Sequence, residues 1–319
     1  MKTPRFLQIA QSDPAAIRAE LLAGLSAPVA TISPKYLYDA LGSRLFAAIT
    51  ELEEYYPTRT EAAIFAAHAP EMAKTLGVVG TLVDLGAGNC EKAARLFSEF
   101  DVARYVAVDI SVDYLRDSLH CLQRQHPQMD MLGVGLDFST HIRLPDEVGT
   151  GPRTLFYPGS SIGNFTPADA LGFLREAHAA SLGGALLIGV DLVKPREVLE
   201  LAYDDPLQVT AAFNRNLLRH LRRLTSADLR IEDWRHVALF NEQESRIEMH
   251  LEAVHAVTVR WPGGQRHFAR GERLHTENSY KWRVDDFAAL LRQAGFSELH
   301  HWSDELSWFA VFAAQARTR

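Results

Sequence analysis

Continuous apolar runs recur through the middle of the chain, each closing on an acidic or glycine-bearing turn. Leu82-Val83-Asp84-Leu85 runs into Gly86-Ala87-Gly88. Tyr105 to Ile110 carries Asp109 near its end. Met131 to Phe138 closes on Asp137-Phe138. Leu155 to Tyr157 enters Pro158-Gly159-Ser160-Ser161, and Ala185 to Val193 is a fifth run. Runs that are apolar throughout, rather than alternating, predict strands buried on both faces. Five of them, each followed by a helical stretch, predict an α/β fold with a doubly wound parallel sheet.

The rhythm begins near residue 80 and stops after the fifth run. Residues 1–60 lack alternating strands and carry the aromatic residues Tyr36, Tyr38, Phe46, Tyr55 and Tyr56. Pro57 to Glu61 reads as a helix start. Pro195 to Arg223 has helical spacing, with apolar positions at Val198, Leu199, Leu201 and Ala202 and again at Phe213, Leu217, Leu218 and Leu221. Arg246 to Trp261 alternates and predicts a strand or hairpin with one wet face. Pro262-Gly263-Gly264 is a turn, and 267–282 continues as extended chain. Val284 to Ala294 is an amphipathic helix closed by Gly295. Two final strands follow, 296–304 and 306–314. The reading is a substrate-binding lid over 1–60 and 195–282, and a nucleoside-binding domain over 61–194 and 283–319.

The glycine loop narrows the chemistry. Gly86 and Gly88 let the backbone turn tightly and approach a ligand, and the N–H groups of a following helix favour a polar or anionic group. The third glycine of the dinucleotide fingerprint is absent, since Asn89, Cys90 and Glu91 follow. A pyrophosphate site uses that glycine for close helix–strand packing. The loop therefore suits a nucleoside ligand without a pyrophosphate, of which S-adenosylmethionine is the commonest. Asp109, on the second strand, stands where a carboxylate meets a ribose diol. Asp137 is placed to accept from an adenine amino group while Phe138 packs on the base. Asp84 is read as a support for the loop through backbone N–H groups.

Composition excludes several classes. The 319 residues carry a net charge of −7, with 47% apolar and 23% charged residues. That is a soluble globular balance with no basic surface for nucleic acid. The N-terminus has no apolar signal region, and no run reaches the roughly 20 residues that span a bilayer. Two cysteines, Cys90 and Cys121, cannot build a disulfide framework, so a reducing cytoplasm is expected. The 13 histidines, His300-His301 included, show no metal-ligand spacing. No metal is expected, and the chain is taken as a monomer.

Several segments resemble successive motifs of the L-histidine Nα-methyltransferase family: YDALGSRLFAAITELEEYYPTRTEA, LVDLGAGNCEK, GSSIGNFTP, AYDDPLQVTAAFNRNLL, RIEMHL and LHTENSYKW. The likeness runs from about Tyr36 to the C-terminus. It implies a class I methyltransferase sheet of Rossmann-like type with a second, discontinuous α+β substrate-binding domain. It also implies trimethylation of the histidine α-amine by S-adenosylmethionine to give hercynine, the precursor of ergothioneine. Gly86, Lys92, Asp109, Asp137 and Phe138 would then hold S-adenosylmethionine, with Tyr38, Gly159 and Ser160 near its methionine end. Tyr55, Asn164 and Tyr203 would hold the amino and carboxylate groups of the substrate. Glu277 and Ser279 would address its imidazole, with Met249 and Phe46 shaping the pocket. Tyr38 or Tyr55 would orient the reacting nitrogen.

The imidazole assignment agrees with elementary chemistry. Residues two apart on an extended segment face the same way. A glutamate accepts one ring N–H while a serine donates to or accepts from the other nitrogen. Two other readings remain open at this point. One keeps the cofactor and changes the substrate to another aromatic amino acid or a histidine thiol derivative. The other is a nicotinamide-dependent oxidoreductase on the same sheet, which the missing third glycine disfavours.

Overall fold

In the computed structural model, which describes residues 2–9, 13–110, 112–138 and 141–317, the chain divides into two compact units. The first comprises Met1–Ala10, Pro57–Val193 and Lys281–Arg319, and the second Gln11–Tyr56 and Lys194–Tyr280.

The first unit is built on one eight-stranded sheet. Its first six strands are β1 (Arg5–Gln8), β2 (Gly80–Leu85), β3 (Val102–Asp109), β4 (Asp130–Gly135), β5 (Thr154–Tyr157) and β6 (Ala185–Asp191). The chain then forms β7 to β11 in the second unit and returns as β12 (Ser297–Ser303) and β13 (Phe309–Gln315). The spatial order is β1-β4-β3-β2-β5-β6-β13-β12. All pairings from β1 to β6 are parallel, and β13 runs antiparallel to both neighbours.

Successive residues of the central strands enter opposite cores. Val83, Leu85, Val106, Val108, Ala310 and Phe312 line one core, while Leu82, Tyr105, Ala107, Phe309 and Val311 line the other. A sheet covered on both faces is why these strands read as unbroken apolar runs. The strand order reverses between β2 and β5, so the crevice beyond their carboxyl ends is the topological switch point, where open α/β sheets bind ligands. Gly86 follows β2 and Gly159 follows β5.

Three features differ from the sequence expectation. Arg5–Gln8 is an edge strand paired with β4. It is too short, and too exposed at both ends, to show an apolar run. After the glycine loop the chain forms only two four-residue helices, Glu91–Ala94 and Phe97–Phe100. Between β4 and β5 the described residues form no α-helix, only a short 3-10 turn at Asp146–Val148.

The second unit combines helices with antiparallel strands. The strands are β7 (Trp234–Asn241), β8 (Arg246–Ala253), β9 (Val257–Trp261), β10 (Gly264–Phe268) and β11 (Arg273–Tyr280). They form a three-stranded sheet, β11-β8-β7, and a β9-β10 hairpin closed by Pro262-Gly263. The alternating run 246–261 is thus split between two sheets. Strand β7 was not foreseen. The helical run 195–223 is broken into Arg196–Tyr203 and Val209–Thr225. Asp205-Pro206 causes the break. Proline resists helix continuation, and the Asp205 carboxylate accepts from the Val209 and Thr210 amides at 3.0 and 2.8 Å, capping the second helix. Burial alone would raise the Asp205 pKa, but these amide bonds hold it below its usual value.

Candidate functional site

In the first unit the chain turns at Gly86 and Gly88 with φ of +76° and +52°, a region where only glycine is unstrained. The Gly86 and Ala87 amides donate to the Val108 carbonyl at 2.8 and 3.1 Å. The Gly88 amide donates to Asp109 Oδ2 at 3.0 Å. Asp109 therefore holds the loop through its carboxylate. A side-chain carbon at Gly86 would lie 3.6 Å from the Phe138 ring, so ring and loop are in contact range across the crevice. Asp137 is half-buried beside Phe138. A bare loop, two strand-end acids and an adjacent aromatic ring fit an adenosine ligand.

Asp84 does not support the loop as expected. Its Oδ2 accepts the Tyr105 hydroxyl at 2.7 Å, and among the described residues its buried Oδ1 has no partner. Burial raises the Asp84 pKa to about 7, against the smaller opposing effects of Tyr105 and Lys92. Cys90, buried below the loop, is pushed up to about 12, first by burial and then by Asp84. A thiol so protonated is packing, not a redox sensor. The four-residue helix after Cys90 is too short to act as an anion site.

Lys92 and Gly159 are joined by a residue the sequence reading did not select. Glu61 lies on the helix Tyr56–Leu76 and is 1% exposed. Its Oε2 accepts from Lys92 Nζ at 2.6 Å, and its Oε1 accepts from the Gly159 amide at 2.7 Å. Gly159 and Ser160 both have positive φ, +78° and +58°. Ser160 Oγ accepts from the Asp191 amide at 2.8 Å, tying the β5 loop to the end of β6. Asn164 ends the 3-10 turn Ser161–Asn164 in the same unit and is half-buried.

The second unit gathers the remaining candidates. Tyr38 meets Phe46 and Phe213 edge-on, each with ring centroids 5.5 Å apart. Phe46 meets Tyr55 at 6.1 Å, and Tyr55 meets Tyr203 at 6.4 Å. The Tyr203 hydroxyl donates to Ser279 Oγ at 2.7 Å. Glu277 and Ser279 share a face of β11, and Glu277 pairs with Met249 of β8. Glu277, Ser279 and Met249 are all buried. Aromatic rings beside a buried carboxylate and a hydroxyl make a surface suited to a flat, polar-edged ring.

His236 and Asn214 stand behind Tyr203 and were also missed. His236 Nε2 lies 2.8 Å from the Tyr203 carbonyl, so that nitrogen donates. Its Nδ1 accepts from the Asn214 amide at 2.9 Å. Burial holds the His236 pKa below its usual value, consistent with this neutral ring. His236 carries no local sequence signal because strand β7 itself has none, and Asn214 is a polar position in the helix Val209–Thr225 that apolar spacing does not report.

Among the described residues, no group of three His, Cys, Asp or Glu side chains could hold a metal ion. No described helix is long and apolar enough to cross a membrane. Cys90 and Cys121 are unpaired.

The switch-point loop, Asp109 at the end of β3, Asp137 just beyond β4 and the reversed β13 define a class I, nucleoside-binding methyltransferase sheet. Residues 17–316 match the family described as histidine-specific methyltransferase, SAM-dependent, and the chain belongs to that family. It is 39% identical to a histidine N-alpha-methyltransferase of Mycolicibacterium smegmatis, over 96% of each chain. It is 38% identical to a protein of the same description from Mycobacterium tuberculosis, over 94% of each. It is 30% identical to ergothioneine biosynthesis protein 1 of Schizosaccharomyces pombe, over 70% of this chain and 31% of that one.

Proposed function

We propose that this chain transfers methyl groups from S-adenosylmethionine to the α-amine of L-histidine, three times in succession, to give hercynine. The observation that carries the substrate assignment is the buried Glu277–Ser279 pair on β11, with Ser279 held by Tyr203. Glu277 accepts the N–H of one imidazole nitrogen, and Ser279 meets the other. Tyr55, Tyr203 and Asn164 hold the amino and carboxylate groups, and Phe46 and Met249 bound the ring. The second unit is the substrate-binding unit.

S-adenosylmethionine, when bound, supplies an electrophilic methyl group on a sulfonium. Gly86, Asp109, Asp137 and Phe138 hold its adenosine, and Lys92, Gly159 and Ser160 its methionine end. Tyr38 and Tyr55 orient the amine lone pair. In-line displacement needs a neutral amine, close approach and exclusion of water more than a strong base. Hydroxyl and amide partners accommodate primary, secondary and tertiary amines alike, which suits three successive transfers. The proposal places the enzyme in the cytoplasm as a monomer acting on a free amino acid, without a metal.

Incubation with S-adenosylmethionine and a panel of amino acids, read by mass, tests this. Histidine is expected to gain three methyl groups, none on the imidazole. The rate is expected to rise with pH as the neutral fraction of the amine grows. A product arrested at one methyl, or labelled on the ring, contradicts the proposed orientation. Glu277→Gln keeps the size but loses the charge at the imidazole. It is expected to weaken histidine binding by about 1–2 kcal/mol while S-adenosylmethionine binding holds. Calorimetry showing equal histidine affinity in both proteins would remove Glu277 from the site.

A further inference from the structure

Glu61 touches both Lys92 and the loop after β5. It is 1% exposed, so water does not compete for its oxygens. The fold makes room for it. A side-chain carbon at Gly189 of β6 would come within 2.1 Å of Glu61 Oε1, and one at Gly159 within 3.1 Å of Lys92 Nζ. Each Glu61 oxygen has a distinct task. Oε1 takes the amide of Gly159, which turns at a φ of +78°. Oε2 takes one of the three ammonium hydrogens of Lys92. Among the described residues no other acceptor is shown for Lys92, and its side chain is 36% exposed.

We infer that Glu61 is a positioning residue for the amino-acid end of the cofactor, fixing Lys92 and the Gly159 loop in one arrangement. This rests on the reading of Lys92 and Gly159 as contacts of the methionine end. Without Glu61 the lysine is a flexible point charge on four methylenes, and the loop loses a charge-assisted bond. The adenosine end is untouched, because Asp109 and Phe138 are held by other elements. Glu61 thereby sets affinity for the part of the cofactor that distinguishes S-adenosylmethionine from simpler adenosines.

Two ligands separate this role from a purely structural one. S-adenosylhomocysteine carries the amino-acid end, and methylthioadenosine lacks it. Glu61→Gln keeps the volume and the acceptor facing Gly159 but removes the charge. In calorimetry it is expected to weaken S-adenosylhomocysteine roughly ten- to hundredfold and to leave methylthioadenosine within about twofold. KM for S-adenosylmethionine is expected to rise while KM for histidine holds. In a Lys92→Met background the same change is expected to cost much less, since the two residues act as one unit. Unchanged S-adenosylhomocysteine affinity overturns the inference, as does equal weakening of both ligands. Wild-type protein that binds methylthioadenosine but gains nothing from the amino-acid end instead overturns the underlying assignment of Lys92 and Gly159. Should Glu61→Gln fail to fold, Gly189→Ala displaces the same carboxylate from the opposite side, and the same pair of affinities decides.

Discussion

Lys281→Met is expected to destabilise the first unit by about 3–5 kcal/mol, the usual result of removing one partner from a buried ion pair. Lys281 Nζ lies 2.7 Å from Asp191 Oδ2, and the two side chains are 0% and 1% exposed. The pair stands where two chain segments run side by side. Trp282 donates its amide to the Asp191 carbonyl at 3.0 Å, and Val193 donates to the Trp282 carbonyl at 3.1 Å. Methionine fills the volume of the lysine stem, so little cavity cost is mixed into the result. The loss comes from removing the Lys281 ammonium from a carboxylate kept out of water. Denaturant unfolding is expected to show a lower midpoint with an unchanged slope. Adding Asp191→Leu to Lys281→Met is expected to restore most of the loss, because an apolar pair of similar volume needs no desolvation of charge. A single variant within about 1 kcal/mol of wild type would show that Asp191 is neutralised by other means.

The parallel sheet was legible because burial on both faces makes its strands read as apolar runs. The runs at 82–85, 105–109, 131–135 and 185–191 carry no competing signal. The glycine loop was legible because Gly86 and Gly88 answer a backbone demand that few other residues meet. What escaped has a physical reason in each case. Strand β1 is four residues long and gains its place from pairing with β4, which is a tertiary effect. Strand β7 has one buried end and an intermediate remainder, so its pattern has no period to detect. Asp205 ended a helix through side-chain capping, a local bond that hydrophobic spacing does not report. Glu61 lay in plain view beside Pro57-Thr58-Arg59-Thr60, but a glutamate near a helix start is commonly a solvated charge. Only the tertiary fold buries it against Lys92, 31 positions on. The proposed substrate residues Glu277 and Ser279 were selected by family resemblance. As isolated sequence they are unremarkable strand positions.

Asp84→Asn is expected to reshape the pH dependence of stability. The Asp84 pKa is raised to about 7 in the folded chain, chiefly by complete burial beside Tyr105. An unfolded aspartate titrates near 3.9. A carboxyl whose pKa rises on folding contributes most below the unfolded pKa. That contribution is lost as pH climbs from about 4 to about 7, and the curve is flat above. Asparagine does not titrate, so it removes this slope and nothing else that depends on protons at that position. It still offers an acceptor to the Tyr105 hydroxyl. Its own amide hydrogens add a constant offset, which is the same at every pH. The gap between variant and wild type is therefore expected to move by about 2–4 kcal/mol in favour of the variant between pH 4 and pH 8. Unfolding midpoints at a series of pH values measure that difference directly. Parallel curves would mean that Asp84 is ionised in the folded protein at low pH, with its Oδ1 stabilised by a partner as strong as water. Because Asp84 lies two residues before Gly86, the same titration in the presence of cofactor has a defined sign. The sulfonium of S-adenosylmethionine is positive and that of its demethylated product is absent. Cofactor binding is thus expected to lower the midpoint of the Asp84 transition more than product binding does.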